Sequence, residues 1–123
     1  MKYDVGDIVL VRAESYPHLD GAIGEMHAFV VMGIAGDDVD LILIDYISLM
    51  ITSKEKDKPY YEPIESTKET NLKLNSLVKC NYLYTVNEDD IIWKIGRTSE
   101  ENCAKYLELY ELAKKNGRAQ GDT

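Results

Sequence analysis

Two histidines are the side chains of this sequence best suited to proton transfer, because an imidazole gains or loses a proton near neutral pH. His27 comes just before the apolar residues 29–34, and His18 follows Pro17 in a polar segment. The plain alternatives are a His27 that only hydrogen-bonds backbone at the end of a strand, and a His18 exposed to solvent. Neither has a cysteine or a third ligand close by in the sequence, so the pair does not predict a metal site.

Tyrosines and lysines offer chemistry of another kind, the binding of nucleic acid. Aromatic rings stack on bases, but tyrosine also favours strands and packs well in them. The tyrosines concerned are Tyr46, Tyr60, Tyr61, Tyr82 and Tyr84. Lys54, Lys56 and Lys58 alternate with acidic residues, so a solvated loop competes with a phosphate-binding role. Cys80 and Cys103 are too far apart for a zinc knuckle, and we expect two buried thiols and no metal or other cofactor.

The net charge of −8 is unevenly spread over the 123 residues. Residues 1–50 hold two basic and nine acidic side chains, whereas residues 91–123 hold six basic and five acidic ones. Because phosphate contacts need Lys and Arg, the acidic N-terminal half argues against strong binding of nucleic acid, although a local basic groove stays open. No apolar run approaches the roughly 18 residues of a membrane span, and residues 1–4 contain no apolar signal segment. The sequence therefore predicts a cytoplasmic protein.

Apolar runs separated by turn residues predict a mainly β protein. The predicted strands cover residues 5–11, 29–34, 39–50, 59–64, 82–86 and 91–95, with short ones at 72–74 and 77–78. The run 39–50 is the most apolar, so we expect it at the centre of the sheet. Pro59 and Pro63 place their strand at an edge, because proline cannot donate to a ladder. Gly96 is predicted to end the strands, and segment 13–25 to form a long loop of the kind that often carries function.

A C-terminal helix is predicted over residues 99–115. Thr98 as N-cap and Glu101 three residues later would form a capping box, and Gly117 suits the position after the last turn. Apolar residues recur three and four positions apart and so lie on one face of this helix. Its members are Cys103, Tyr106, Leu107, Tyr110 and Ala113.

Short strands and one terminal helix around one core make a small antiparallel barrel the economical architecture. The chain length suits one domain. We expect a single barrel domain over residues 1–117, followed by a frayed tail at residues 118–123.

Two parts of the sequence carry a family resemblance, one from each end of the predicted sheet. The first part is Gly6-Asp7-Ile8-Val9. The second runs from Leu74 through Ser76, Val78, Cys80, Leu83, Thr85 and Val86 to Ile95-Gly96 and then Ser99-Glu100-Glu101. In this order and spacing they resemble the MazF/PemK family of bacterial toxins. The resemblance implies an SH3-like antiparallel barrel with a C-terminal α-helix.

The resemblance also implies where a catalytic site would lie. Family members open the second strand with Arg-Pro and end the third near a Thr, and the matching positions hold His27-Ala28 and Ser48. His27 and Ser48 are therefore the implied catalytic pair, which trades a permanent cation for a titrating one and keeps a hydroxyl group. A third family position, usually an Arg, is Tyr84. Together with Lys54 and Lys56 it is a predicted RNA contact.

Two functional hypotheses follow. The resemblance implies the toxin component of a type II toxin–antitoxin system, a metal-independent endoribonuclease that cleaves single-stranded RNA, pairs with an antitoxin protein and forms a homodimer. The alternative is a non-catalytic protein-binding barrel of the same fold, in which the missing Arg and the acidic surface reflect a loss of RNA cleavage.

Overall fold

Antiparallel strands dominate the computed structural model, which describes residues 2–12, 25–46 and 59–121. The strands are β1 (Asp7–Arg12), β2 (Met26–Ala35), β3 (Asp38–Tyr46), β4 (Tyr61–Ile64), β5 (Ser76–Lys79), β6 (Tyr82–Asn87), β7 (Ile91–Arg97) and β8 (Gln120–Gly121). A 3₁₀ turn (Glu88–Asp90) precedes β7, and the helix α1 (Glu100–Lys115) follows it.

The strands pair in the order β4-β5-β3-β2-β1-β7, and each of these pairs is antiparallel. One part of β3 pairs with β6 and the other with β5, while β8 runs parallel to β6. β3 is thus central, as its apolar sequence predicts. Within the described ranges β4 and β7 do not pair with each other, so the barrel is open at this seam. The predicted mainly β fold with antiparallel strands and a C-terminal helix is confirmed.

The central strands bury side chains on both faces of the sheet. Val9, Phe29, Leu41 and Tyr84 belong to the core on one face. Ile8, Val30, Ile42 and Tyr106 belong to the core on the other face, which α1 covers. Successive residues of a strand point to opposite faces. Strands buried on both faces read as nearly continuous apolar runs, which is why these segments lack clean alternation.

The N-terminus of α1 differs from the prediction by one residue. Ser99, not Thr98, is the N-cap, because its side chain accepts a hydrogen bond from the backbone N–H of Asn102 at 3.1 Å. The predicted capping box between Thr98 and Glu101 is therefore wrong. The Thr98 hydroxyl instead accepts a hydrogen bond from Asn102 Nδ2 at 2.8 Å.

The other end of α1 follows the prediction. Gly117 has φ 71°, a left-handed conformation that glycine adopts without strain. Its N–H donates to the Lys114 carbonyl, and the N–H of Arg118 donates to the Ala113 carbonyl. These two bonds form a Schellman motif, which satisfies carbonyl groups that the helix leaves free.

α1 buries the predicted face with one exception. Its buried residues are Cys103, Tyr106, Tyr110 and Ala113. Leu107 is 51% exposed, so its assignment to the buried face was wrong. No helix among the described residues has the length and apolar character needed to cross a membrane.

The segment after α1 differs from the predicted frayed tail. Residues 118–121 continue into β8, where the N–H of Gln120 donates to the Asn81 carbonyl at 2.8 Å. Backbone pairing with the edge of β6 holds this segment, and a sequence of small and polar residues gives no sign of it. Residues 122–123 lie outside the described residues.

Gly6 joins three parts of the fold at one residue. Its N–H donates to the Val31 carbonyl of β2 at 2.9 Å, and its carbonyl accepts from the N–H of Thr98 at 2.8 Å. It has φ 96°, and a Cβ there would lie 2.7 Å from the Thr98 carbonyl oxygen. Both observations require glycine at this position.

Asp7 adds an ion pair to the same junction. Its side chain is 2% exposed, and one oxygen lies 3.1 Å from Lys94 Nζ and 3.9 Å from an Arg97 nitrogen. The other oxygen accepts from the N–H of Asp4 at 2.9 Å. A buried carboxylate is tolerated when it is paired and hydrogen-bonded in this way, and it fixes β7 against β1.

Gly96 lies inside β7, so the prediction that it ends the strands was wrong. A Cβ at this position would lie 2.2 Å from the Thr70 carbonyl oxygen and 2.6 Å from that of Glu69. The loop of residues 65–75, here the 65–75 loop, thus packs its backbone directly on β7. Residues 72–74, predicted as a short strand, belong to this loop.

We predict that Gly96→Ala lowers the free energy of unfolding by about 3 kcal/mol, because the added methyl group must displace either β7 or the 65–75 loop. Urea denaturation of the purified variant measures the change. Gly33→Ala is the matched control, since its Cβ would come no closer than 3.5 Å to a side-chain atom of Asp40. Equal stability of the two variants would contradict this close approach.

A second prediction concerns alkaline pH. Burial raises the pKa of the Cys80 thiol to about 12, and the charge of Glu62 adds to this effect. Burial likewise raises the pKa of Tyr106 to about 12, although a hydrogen bond with Thr98 acts in the other direction. An unfolded thiol loses its proton near pH 9.0, so between pH 9 and about 12 the unfolded state binds fewer protons than the folded state. The free energy of unfolding should therefore fall as pH rises through this range.

Cys80→Ala tests the thiol contribution. We expect this variant to lose stability less steeply above pH 9, by up to about 1.4 kcal/mol per pH unit. Val78→Ala is the control, because it also removes atoms from the same core but has no ionisable group. The pH dependence of urea denaturation should be shallower for Cys80→Ala and unchanged for Val78→Ala. Parallel curves for all three proteins would refute the assignment.

Candidate functional site

His27 is the second residue of β2 and pairs with Val11 of β1. The strand starts earlier than predicted, so the histidine lies within the ladder and not before it. Its Nε2 atom is buried and has no hydrogen-bond partner within the described residues. A buried polar atom without a partner costs free energy, and such atoms in native proteins often mark a ligand-binding or catalytic role.

A cleft of about 440 Å³ opens beside His27, here called the His27 cleft. Ends of β2 and β3, parts of β1, β5 and β7, and the 65–75 loop surround it. Its described lining is Leu10, Glu25, Met26, His27, Ala28, Ile44, Asp45, Asn71, Leu72, Lys73, Ser76 and Ile95. An apolar floor with a few convergent polar groups is the usual composition of a ligand site.

The cleft holds charges of both signs. Asp45 pairs with Lys79, with Nζ and the carboxylate oxygen 3.1 Å apart, so its charge is largely balanced. Glu25 and Lys73 are the remaining charged residues of the described lining. By continuation of the β2–β3 register from Ala28 and Ile44, Asp45 is the β3 residue opposite His27.

The 65–75 loop is held in place by hydrogen bonds at its base. Asn71 Nδ2 donates to the Ile95 carbonyl of β7 at 2.9 Å, and the N–H of Arg97 donates to the Glu69 carbonyl at 2.9 Å. Asn71 itself has φ 55°, a left-handed conformation that asparagine tolerates better than most residues. A non-glycine residue held in this region beside a cleft is a feature seen at functional sites.

Hydroxyl groups fix the loop internally. The backbone N–H of Thr67 donates to Thr70 Oγ1 at 3.0 Å, and the backbone N–H of Thr70 donates to Thr67 Oγ1 at 3.1 Å. The Thr70 hydroxyl also donates to the Glu65 carbonyl at 2.9 Å. Ser66 Oγ donates to the Leu72 carbonyl at 2.5 Å. The loop therefore presents its residues to the cleft from a defined backbone.

A larger cleft of about 590 Å³ lies between the 65–75 loop and the start of α1. Two of its polar side chains already have partners: Thr98 accepts from Asn102, and Arg97 lies 3.9 Å from the Asp7 carboxylate. Neither histidine belongs to its described lining. The His27 cleft is therefore the better candidate, because it contains a group with unused hydrogen-bonding capacity.

The other predicted site residues fall in two groups. Ser48, Lys54 and Lys56 lie outside the described residues, so their roles stay predictions. Tyr84 is 5% exposed and its ring packs edge-on against Phe29 with centroids 5.4 Å apart. An RNA base could stack on the Tyr84 ring only if the ring moved out of the core. An RNA contact at Tyr84 therefore also stays a prediction. Within the described residues no group of three or more metal-ligating side chains comes together.

Several lining residues of the cleft were not among the sequence candidates. Glu25 and Asp45 flank apolar runs, and Asn71 and Lys73 sit in a segment without clear periodicity. No local pattern brings the 65–75 loop to His27, since the approach depends on pairing between distant strands. The one available signal was position: Glu25 and Asp45 stand at strand ends, where polar side chains can reach a shared edge.

Fold and cleft together define a small open antiparallel barrel with a terminal helix and a polar site at the ends of its central strands. The chain matches the model of a family described as "PemK-like, MazF-like toxin of type II toxin-antitoxin system" over residues 4–109. This span is most of the chain, and the chain therefore belongs to that toxin family. The resemblance carried by the sequence motifs is confirmed.

A solved structure agrees in fold. The chain is similar to the Mycobacterium tuberculosis toxin MazF-mt6, with a TM-score of 0.63 and 12% identity over 89% of this chain and 96% of that chain. At this identity the likeness is one of fold and does not transfer individual residue roles. In a search of curated proteins, no sequence matches.

Proposed function

We propose that this toxin-family chain is an endoribonuclease that cleaves single-stranded RNA in the His27 cleft. The observation that carries the proposal is the buried Nε2 of His27, which has no partner within the described residues and lines a polar cleft. An imidazole nitrogen that no protein group occupies is open to a substrate hydroxyl and can act in proton transfer. Family membership supports RNA as the substrate class, and the cleft supports the location.

The proposed reaction uses the ribose 2′-hydroxyl as nucleophile. Its oxygen forms a bond to the adjacent phosphorus, while the bond from phosphorus to the 5′-oxygen of the next nucleotide breaks. His27 takes the proton of the 2′-hydroxyl, and a water molecule gives a proton to the leaving 5′-oxygen and regains one from the protonated His27, which restores both groups. The products are a 2′,3′-cyclic phosphate and a 5′-hydroxyl. No metal ion takes part in the proposed chemistry.

Ser48 is the second proposed catalytic residue, by its match to the family's Thr. A hydroxyl there can donate a hydrogen bond to a phosphate oxygen as negative charge develops. Lys54, Lys56 and Tyr84 remain proposed RNA contacts. With His27 at the position of the family's Arg, the site lacks a permanent cation that can form two hydrogen bonds to a phosphate. Another group must therefore help to stabilise the negative charge of the phosphate in the transition state.

The alternative proposal is a non-catalytic protein-binding barrel. What favours it is the charge of the site: Glu25 and Asp45 line the cleft, and the chain carries a net −8. Both acids repel a phosphate backbone, although Lys79 offsets the charge of Asp45. The two proposals differ in one measurable property, the cleavage of RNA.

Membership of a toxin–antitoxin family supports three further proposals. The partner is an antitoxin protein encoded with this chain, the oligomer is a homodimer with an isologous interface, and the location is the cytoplasm, where RNA is translated.

We predict that His27→Ala lowers the rate of RNA cleavage by about 100-fold, the usual contribution of one positioned acid–base group. Cleavage of a long single-stranded transcript of mixed sequence, followed on denaturing gels, measures the rate. His18→Ala, which removes the other histidine, should leave the rate unchanged.

His27→Arg separates the two proposals. In an active enzyme this change removes the base but restores the family's cation, so the variant should stay active. Equal rates for wild type and His27→Ala would eliminate His27 as a catalytic residue. If wild-type protein cuts nothing and His27→Arg does, the chain is a degenerate toxin and the binding-module proposal is correct.

A further inference from the structure

We infer that Lys73 binds the phosphate of the substrate in the His27 cleft, an inference that rests on the proposed function because it assigns a contact within the same site. Lys73 stands in none of the positions that the family motifs mark.

The His27 cleft needs a cation for any phosphate ligand. Its described lining contains two carboxylates, Glu25 and Asp45, and a histidine where the family has arginine. A neutral imidazole that accepts a proton cannot at the same time neutralise a phosphate. Among the described lining residues, Lys73 is the one that carries a permanent positive charge at neutral pH.

Lys73 is free to take this role, whereas Lys79, the ion-pair partner of Asp45, is not. Lys79 Nζ is 3.1 Å from an Asp45 oxygen and 5.6 Å from the centroid of the Tyr61 ring. Lys73 is exposed and makes no ion pair or hydrogen bond with the part of the chain that the structure describes. An unpaired ammonium group keeps all three donors for a ligand.

The backbone just before Lys73 is fixed by burial and by hydrogen bonds. The preceding residue, Leu72, is 8% exposed and belongs to the core under α1, and its carbonyl accepts from Ser66 Oγ. One residue earlier, Asn71 ties the loop to β7 through the Ile95 carbonyl. The lysine stem therefore starts from a rigid point at the rim, which lowers the entropy lost when the ammonium group meets a phosphate.

These three observations favour a nucleic-acid phosphate as the ligand of Lys73. A flexible lysine at the rim accommodates the varied backbone of a single strand, which a planar, bidentate group would restrict. Each phosphate neutralised by a lysine releases counterions, so the contact has a signature in the salt dependence of binding.

Binding of an uncleavable strand tests the inference separately from catalysis. The probe is a fluorescein-labelled, fully 2′-deoxy single strand of mixed sequence, which lacks the nucleophile, and its affinity is measured by fluorescence anisotropy between low and moderate salt. Lys73→Ala should bind about tenfold more weakly. The slope of log K against log salt should also shrink by about 0.7. Lys73→Arg should restore most of the affinity.

Lys68→Ala is the matched control. Lys68 lies in the same loop, is exposed and is absent from the described lining of the cleft, so it gives the same change in net charge at another place. The affinity of this variant should lie within twofold of the wild-type affinity, and its salt slope should equal the wild-type slope within error. Equal losses in Lys68→Ala and Lys73→Ala would overturn the inference, as would undetectable binding by wild type or an unchanged slope in Lys73→Ala.

Cleavage assays on the same proteins keep the two proposals apart. If wild type binds the probe through Lys73 but cuts no RNA, the phosphate contact stands and the ribonuclease proposal fails. If wild type cuts RNA and Lys73→Ala binds and cuts as well as wild type, the ribonuclease proposal stands and the Lys73 contact fails. Urea denaturation should show equal stability for both alanine variants, since both lysines are exposed.

Discussion

The fold depends on the junction that Gly6 and Asp7 form between β1, β2, β7 and α1. The N–H of Gly6 bonds to β2, and its carbonyl bonds to Thr98 at the start of α1. A residue with a side chain does not fit here, because φ is 96° and a Cβ would lie 2.7 Å from the Thr98 carbonyl oxygen. Asp7 then draws Lys94 and Arg97 of β7 to a carboxylate that is 2% exposed. Because the carboxylate of this ion pair is buried, solvent screens the attraction less than it would screen a pair of exposed side chains, and the pair holds β7 beside β1.

The junction determines the geometry of the His27 cleft in two ways. β1 pairs with β2 and fixes the position of His27 in the sheet, where Val11 is its partner on the neighbouring strand. β7 carries Gly96, and the missing side chain there lets the 65–75 loop approach closely enough to bring Lys73 to the rim. A substitution at Gly96 would therefore alter the His27 cleft, although Gly96 is not among its described lining residues. Both sides of the cleft are built on paired strands or on a loop with internal hydrogen bonds, which suits a site that must be held in place.

Local patterns in the sequence were sufficient for elements whose cause is local. The apolar runs of β1, β2 and β3 and the Schellman end at Gly117 could be predicted, since hydrophobic burial and a left-handed turn each leave a mark in a few residues. Gly96 was misread because glycine commonly ends strands, and the carbonyl that approaches it comes from a distant loop. The position of His27 was visible before an apolar run, but a buried Nε2 without a partner depends on the whole neighbourhood. Lys73 had no local signal at all.

Part of the acidic charge of the chain lies far from the His27 cleft, at the opposite end of β3. At one end of this strand, the β2–β3 turn with Asp37 and Asp38 meets the acidic turn Glu88–Asp90, and the N–H of Glu88 donates to the Asp37 carbonyl. The other end reaches the cleft at Asp45. Eight steps of extended chain separate the ends by about 25 Å. This is about three Debye lengths at physiological salt, so the distant acids are largely screened at the cleft. Among the described lining residues and their ion pairs, Lys79 balances Asp45 and the positive charge of Lys73 opposes the negative charge of Glu25, so Lys73 removes the net negative charge that a phosphate would otherwise meet there.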